Sequence, residues 1–252
     1  MSLETYVTSL FFSYFVVFAR LGTALIFMPA FGETQIPVRV RLSFALVLCT
    51  ALMPATPVRD VLPSDPLTIA LMVGTEATIG LWIGLTARIL LSALQFAGYQ
   101  VGQVSGLANA FGPSFGAFEG ATMVATLLLV SAVAMIFVTD THHIILRALL
   151  SSYDLFVPGQ PLMVEDMAQQ IIKAGAKSLY IGTAISAPFF VMGVVLNLGM
   201  GLANRMMPQL PVFFVAASLL IAAGLYILAV AIPSILDFYL METREWLMMF
   251  RF

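Results

Sequence analysis

His142 and His143 are the only histidines among 252 residues, and with Asp140 they form the one cluster whose residue types could hold a metal ion or pass a proton. A helical metal site sets its ligands on one face, typically four residues apart, or draws a third ligand from elsewhere. Adjacent residues on a helix point about 100° apart. Packing beside the membrane is therefore the expected role of the pair, with Asp140 as the N-cap of a helix starting near His142. Arg20, Glu76, Arg88 and Glu119 stand in the most apolar surroundings of the chain. Such residues either line an ion or proton path or pair between packed helices. Glu76 and Arg88 are twelve positions apart, about 18 Å along a straight helix, so each needs a partner on another segment or chain. Pairing is expected, and these four form the buried-charge and interface set. The sequence holds no paired carboxylates, Ser/His/Asp arrangement or phosphate-loop spacing. Catalysis, a cofactor and a metal are accordingly not expected, and Cys49, alone in an apolar run, reads as a small packed hydrophobe.

The segment Gln95–Gly120 could do something other than chemistry. It holds six of the 18 glycines, no Lys or Arg, and a single carboxylate, Glu119. Gly98, Gly102 and Gly106, and then Gly112, Gly116 and Gly120, recur every four residues, which on a helix lines one face for close backbone approach. Asn109 and Gly112-Pro113 separate the runs, and Pro113 should break any helix there. Phe111, Phe115 and Phe118 add bulk to a pliable, almost uncharged backbone. The expectation is a movable plug or constriction built from Gly106, Asn109, Phe111, Gly112, Pro113, Phe115, Gly116 and Phe118.

Elements must position these groups within an apolar medium. The chain is 61% hydrophobic and 10% charged, with mean hydropathy +1.01. That profile places it in a membrane or a membrane-embedded assembly. Its net charge of −2 gives no reason to expect nucleic acid. The start, MSLETYVTS, carries Glu4 and no basic region, so no cleavable signal peptide is expected. Six apolar segments follow: Tyr6–Phe31, Leu42–Ala55, Leu67–Leu94, Ala121–Thr139, Ala168–Met200 and Val212–Leu236. Leu42–Ala55 is short for a span and reads as interfacial or buried. Proline-rich turns separate the segments, and the tail from Asp237 to Phe252 reads as a short amphipathic helix. The expected fold is all-α: a hydrophobic, membrane-associated set of helical hairpins around the glycine-rich loop.

One segment does not insert well by itself. Twelve Leu, Ile or Val residues in Leu67–Leu94 contribute on the order of −4 to −7 kcal/mol, and Glu76 with Arg88 costs about +5 to +7. Protein neighbours must shield those charges. Loop charge is equally indecisive, with six basic residues on one side of a six-span arrangement and three on the other.

Four motifs in order, ARLGTALIFMPAFGETQIPVRVRLSFAL (Ala19–Leu46), QVGQVSGLANAF (Gln100–Phe111), TDTHHIILRALLSSYDLF (Thr139–Phe156) and NRMMPQLPVFF (Asn204–Phe214), resemble the FliR family of flagellar biosynthesis proteins. The resemblance spans nearly the whole chain and implies a single export-gate domain over residues 1–252. It implies a non-enzymatic subunit of the flagellar type III export gate, in the bacterial inner membrane at the flagellar basal body. Implied partners are FliP-like and FliQ-like subunits, FlhB-like and FlhA-like export proteins, and unfolded flagellar cargo. It also implies that Gly106–Glu119 forms the closing plug; many members carry an acidic residue before the proline, where this chain has Gly112. A closely similar subunit serves virulence-type injectisomes. A secondary transporter is the reading from another class, and it should show paired inverted repeats where only one glycine-rich interruption is found.

Overall fold

The computed structural model describes residues 3–33, 35–60, 65–107, 119–206 and 212–249, with the backbone alone at 5, 59–60, 119–122 and 212–215. Among these residues the chain is helical and contains no strand. In chain order the helices are α1 (Leu3–Phe27), α2 (Val38–Leu52), α3 (Pro66–Val104), α4 (Glu119–Val138), α5 (Thr141–Leu155), α6 (Val164–Met206) and α7 (Val212–Met248). Short 3₁₀ turns, Met53–Ala55 and Pro57–Asp60, follow α2. Long apolar runs produce these helices, and α6 and α7 continue through Pro188 and Pro233, since a backbone in an apolar medium must satisfy its own hydrogen bonds.

Five stretches are long and apolar enough to cross a membrane: Tyr6–Phe27, Val38–Ala55, Pro66–Val104, Val164–Met206 and Ala216–Met248. Met123–Val138 and Thr141–Leu155 form a sixth as a pair bent by 78°. At 39, 43 and 37 residues, α3, α6 and α7 would each be about 55–65 Å long, roughly twice the hydrocarbon thickness. Helices of that length suit an assembly that reaches beyond the bilayer core.

The structure alters the sequence reading at four places. Leu42–Ala55 belongs to an 18-residue stretch that is mostly exposed, so it is neither buried nor too short to span. Asp237–Met248 is the uninterrupted end of α7 and not a separate helix. The first half of the glycine-rich segment, through Val104, is the end of α3. Asp140 does precede α5, but at φ 55° and ψ 16° it is left-handed, and its side chain makes no capping hydrogen bond. Side-chain capping needs an extended backbone at that position. Here the main chain does the work, with the Asp140 carbonyl accepting the His143 N–H at 3.0 Å.

The chain forms two compact units. The first comprises residues 1–90, 136–174 and 242–252. Its core includes Val16, Val17, Leu21, Ala24 and Leu25 of α1, Ile79, Ile83 and Leu90 of α3, and Ile145, Leu149 and Tyr153 of α5. The second comprises residues 91–135 and 175–241. There Val101, Leu107, Val124, Phe189 and Leu228 form one buried cluster, and the end of α3 is its most enclosed element.

Candidate functional site

In the first unit the candidate charges Arg20, Glu76 and Arg88 lie on a seam between α1 and α3. Glu76, Gly80, Gly84 and Arg88 fall every four residues and share one face of α3. The two glycines let α1 come in close. A Cβ at Gly80 would overlap the Arg20 carbonyl, and one at Gly84 would lie 2.6 Å from the Ala24 carbonyl oxygen. Thr23 adds a hydrogen bond from its hydroxyl to the Ala77 carbonyl at 3.1 Å. The spacing is the small-xxx-small pattern by which helices pack in membranes.

An ion pair stands at each end of the glycine stretch. Arg20 is fully buried, and Glu76 is 1% exposed. Arg20 Nε donates to Glu76 Oε2 at 2.6 Å, and Nη2 donates to Oε1 at 2.8 Å, a bidentate pair. Nη2 also donates to the Phe156 carbonyl at 2.7 Å, and Nη1 to the Ser152 carbonyl and Oγ at 3.1 and 3.3 Å. A guanidinium has five N–H groups, and these five bonds occupy them. The Tyr153 ring lies 3.9 Å from Cζ. Arg20 therefore ties α1 to α3 and to the end of α5, where it adds a second donor to the Ser152 carbonyl, already bonded by the Phe156 N–H at 2.9 Å, and satisfies the Phe156 carbonyl beyond the last turn. At the other end, Arg88 Nη1 donates to Glu33 Oε1 at 2.9 Å, in a pair with 31% and 13% of its side chains exposed. Arg41 holds that loop through the Glu33 carbonyl at 2.7 Å.

In the second unit the end of α3 is packed against glycines and alanines on three helices. A Cβ at Gly98 would collide with the Ala125 backbone of α4. On α6, a Cβ at Gly182 would sit 3.0 Å from the Ala93 carbonyl and one at Gly193 2.6 Å from Val104 Cγ1. On α7, one at Gly224 would strike Ser105. Ser186 donates to Gln100 Oε1 at 2.7 Å, so an amide of this stretch is held within the protein. Gly106 follows with φ +70°, packed on Leu220. It occupies the left-handed position just past a helix end that glycine fills at least cost.

The expected plug residues Asn109, Phe111, Gly112, Pro113, Phe115, Gly116 and Phe118 lie outside the described residues, and Glu119 is described by its backbone alone, as the first residue of α4. Of the plug set, Gly106 is therefore placed as the terminator of α3. The structure joins Arg20 to Glu76 and gives Arg88 a separate partner. Glu33, Ser152 and the Gly80–Gly84 pair escaped the sequence reading. The four-residue spacing from Glu76 to Arg88 was visible in the sequence and marks this seam.

Both the seam and the glycine-packed end of α3 fall inside residues 11–246, which match the family described as bacterial export proteins, family 1. The chain belongs to this family. Among relatives, it is 33% identical to the flagellar biosynthetic protein FliR of Caulobacter vibrioides over 93% of this chain and 94% of that one. It is 29% identical to the FliR of Escherichia coli, over 88% and 83% of the two chains. The secretion system apparatus protein SsaT of Salmonella typhimurium is 29% identical over 69% of this chain and 68% of its own.

Proposed function

We propose that this chain is a channel and scaffold subunit of the flagellar type III export gate, passing unfolded flagellar subunits out of the cytoplasm. The observation that carries the reading is the 33% identity to a flagellar FliR over nearly the full length of both chains. SsaT supports an equivalent place in a virulence-type injectisome, with a match that covers less of either chain. In this reading the 252 residues act as one export-gate domain at the flagellar basal body in the inner membrane. FliP-like and FliQ-like subunits surround it, and FlhB-like and FlhA-like proteins contact it.

The exposed apolar surface supports an embedded role. Leu3, Phe11, Val47, Leu71, Ile172, Val191, Val195, Leu198, Leu202, Tyr226 and Val230 are all exposed. Such area requires lipid or other subunits to cover it. Gly106 to Glu119 is the closing plug. Gly106, at its start, caps the end of α3, and the segment carries three phenylalanines, the apolar bulk that a dry constriction needs.

The test is co-purification from native membranes with a mild detergent. The reading expects a large complex containing FliP-like and FliQ-like chains. A monodisperse, solute-binding monomer would instead favour a transporter.

A further inference from the structure

We propose that Asp140, His142 and His143 form a binding site for a first-row divalent transition-metal ion, of which Zn²⁺ is the representative. The two imidazoles and the carboxylate bring one donor atom each to within 4.8 Å of one another. Their adjacent positions suggested rings pointing apart; in the structure the ring centroids of His142 and His143 are 4.1 Å apart at 36°. On the first turn of α5 both side chains lean back toward the helix start, because Cα–Cβ bonds tilt that way. His143 Nδ1 lies 3.5 Å from Asp140 Oδ1.

Two further features favour a metal over a plain surface ion pair. His142 Nδ1 lies 3.4 Å from the Ile136 carbonyl oxygen. A proton donated there leaves the Nε2 lone pair free, and metal-bound histidines are commonly oriented by that kind of backbone bond. The turn carrying Asp140 is also braced from α7. Arg244 Nη2 donates to the Thr139 carbonyl at 3.1 Å and to Thr141 Oγ1 at 2.9 Å, and Nε to the same hydroxyl at 3.0 Å. The Thr139 and Thr141 hydroxyls are 2.8 Å apart, and Thr141 is fully buried. Asp140 thus projects from a turn pinned on both sides, the kind of support a ligand set needs.

The chemistry selects the ion class. Imidazole nitrogens with one carboxylate suit zinc, copper or nickel, whereas calcium and magnesium prefer all-oxygen shells. Ligand atoms around a tetrahedral zinc are about 3.3 Å apart, so the donors must close by roughly 1.5 Å. Asp140 and His143 are exposed and free to make that adjustment. A helix N-terminus disfavours cations; the Asp140 carboxylate supplies the opposing charge. Three protein ligands leave a position for water. The bound ion would link the turn to the first turn of α5 and brace the 78° bend.

Co²⁺ titration of the full chain tests the site, using untagged protein co-purified with its export partners and following visible absorption, with Zn²⁺ as competitor. Asp140→Gly removes the carboxylate while favouring the left-handed backbone already present, and His143→Ala removes an exposed imidazole. Loss of even a supporting partner costs metal sites about 10–100-fold in affinity. Each variant should therefore weaken Co²⁺ and Zn²⁺ binding at least tenfold while the complex assembles in wild-type yield. Absence of a Co²⁺ band from the wild-type complex, or wild-type affinity in either variant, would overturn the assignment.

Discussion

Arg20 meets Glu76 through two hydrogen bonds of 2.6 and 2.8 Å, one turn from the glycine at which α3 touches the Arg20 backbone. Charge pairing and backbone approach are thus one device. The glycines let the helices close, and closure takes the pair out of solvent. An unpaired charge left there costs about 3–5 kcal/mol, whereas replacing both members with apolar residues of similar volume is often tolerated. Glu76→Gln and Arg20→Gln should each sharply lower the amount of assembled complex. Arg20→Met combined with Glu76→Met should recover much of it, as measured by complex yield from membranes.

Arg88 and Glu33 should behave differently. Their pair is partly open to solvent, and exposed pairs contribute about 0–1 kcal/mol. Arg88→Gln should leave more complex than Arg20→Gln when both are expressed at equal level. Equal loss from the two would show that Arg88 has a further role at an interface.

Glycine substitutions should sort by what their Cβ meets. Nothing lies within 4 Å of a Cβ at Gly74, so Gly74→Ala should be neutral or favour the helix by up to about 1 kcal/mol. Gly98→Ala must push α4 away from α3, and overpacking of that kind costs about 1–3 kcal/mol. The thermal stability of the purified complex should fall for Gly98→Ala and hold for Gly74→Ala.

Gly106 separates backbone strain from packing. A non-glycine residue in the left-handed region costs roughly 1–2 kcal/mol, with asparagine among the better tolerated. Gly106→Ala should therefore destabilise the complex more than Gly106→Asn. The same thermal measurement ranks them.

Much of this was legible in the residues. Apolar runs show the all-α class and where the membrane-length helices lie, but not their full length, since α3 runs ten residues past Leu94 and α7 twelve past Leu236 through more polar residues. Glu76 and Arg88 were recognisable as charges in need of partners. Arg20 stood in the same set, but its pairing with Glu76 was not readable, nor were Glu33, which lies in a loop, and the Ser152 and Phe156 carbonyls that hold Arg20, main-chain atoms that no side-chain pattern announces. Asp140 shows a different limit. Its position before a helix was readable, but not the left-handed backbone in which its side chain makes no capping bond.

For the proposed plug, removing Asn109–Ala117 should leave the complex assembled yet leaky to small ions, read as loss of membrane potential. An assembled complex as ion-tight as wild type would make the segment a packing element.

The most direct test of the central claim is export itself. In a strain lacking this chain, the amount of hook and filament protein released to the medium should fall to background. Restoring the chain should return both export and motility. Wild-type levels of exported filament protein in its absence would contradict a place in the flagellar export gate.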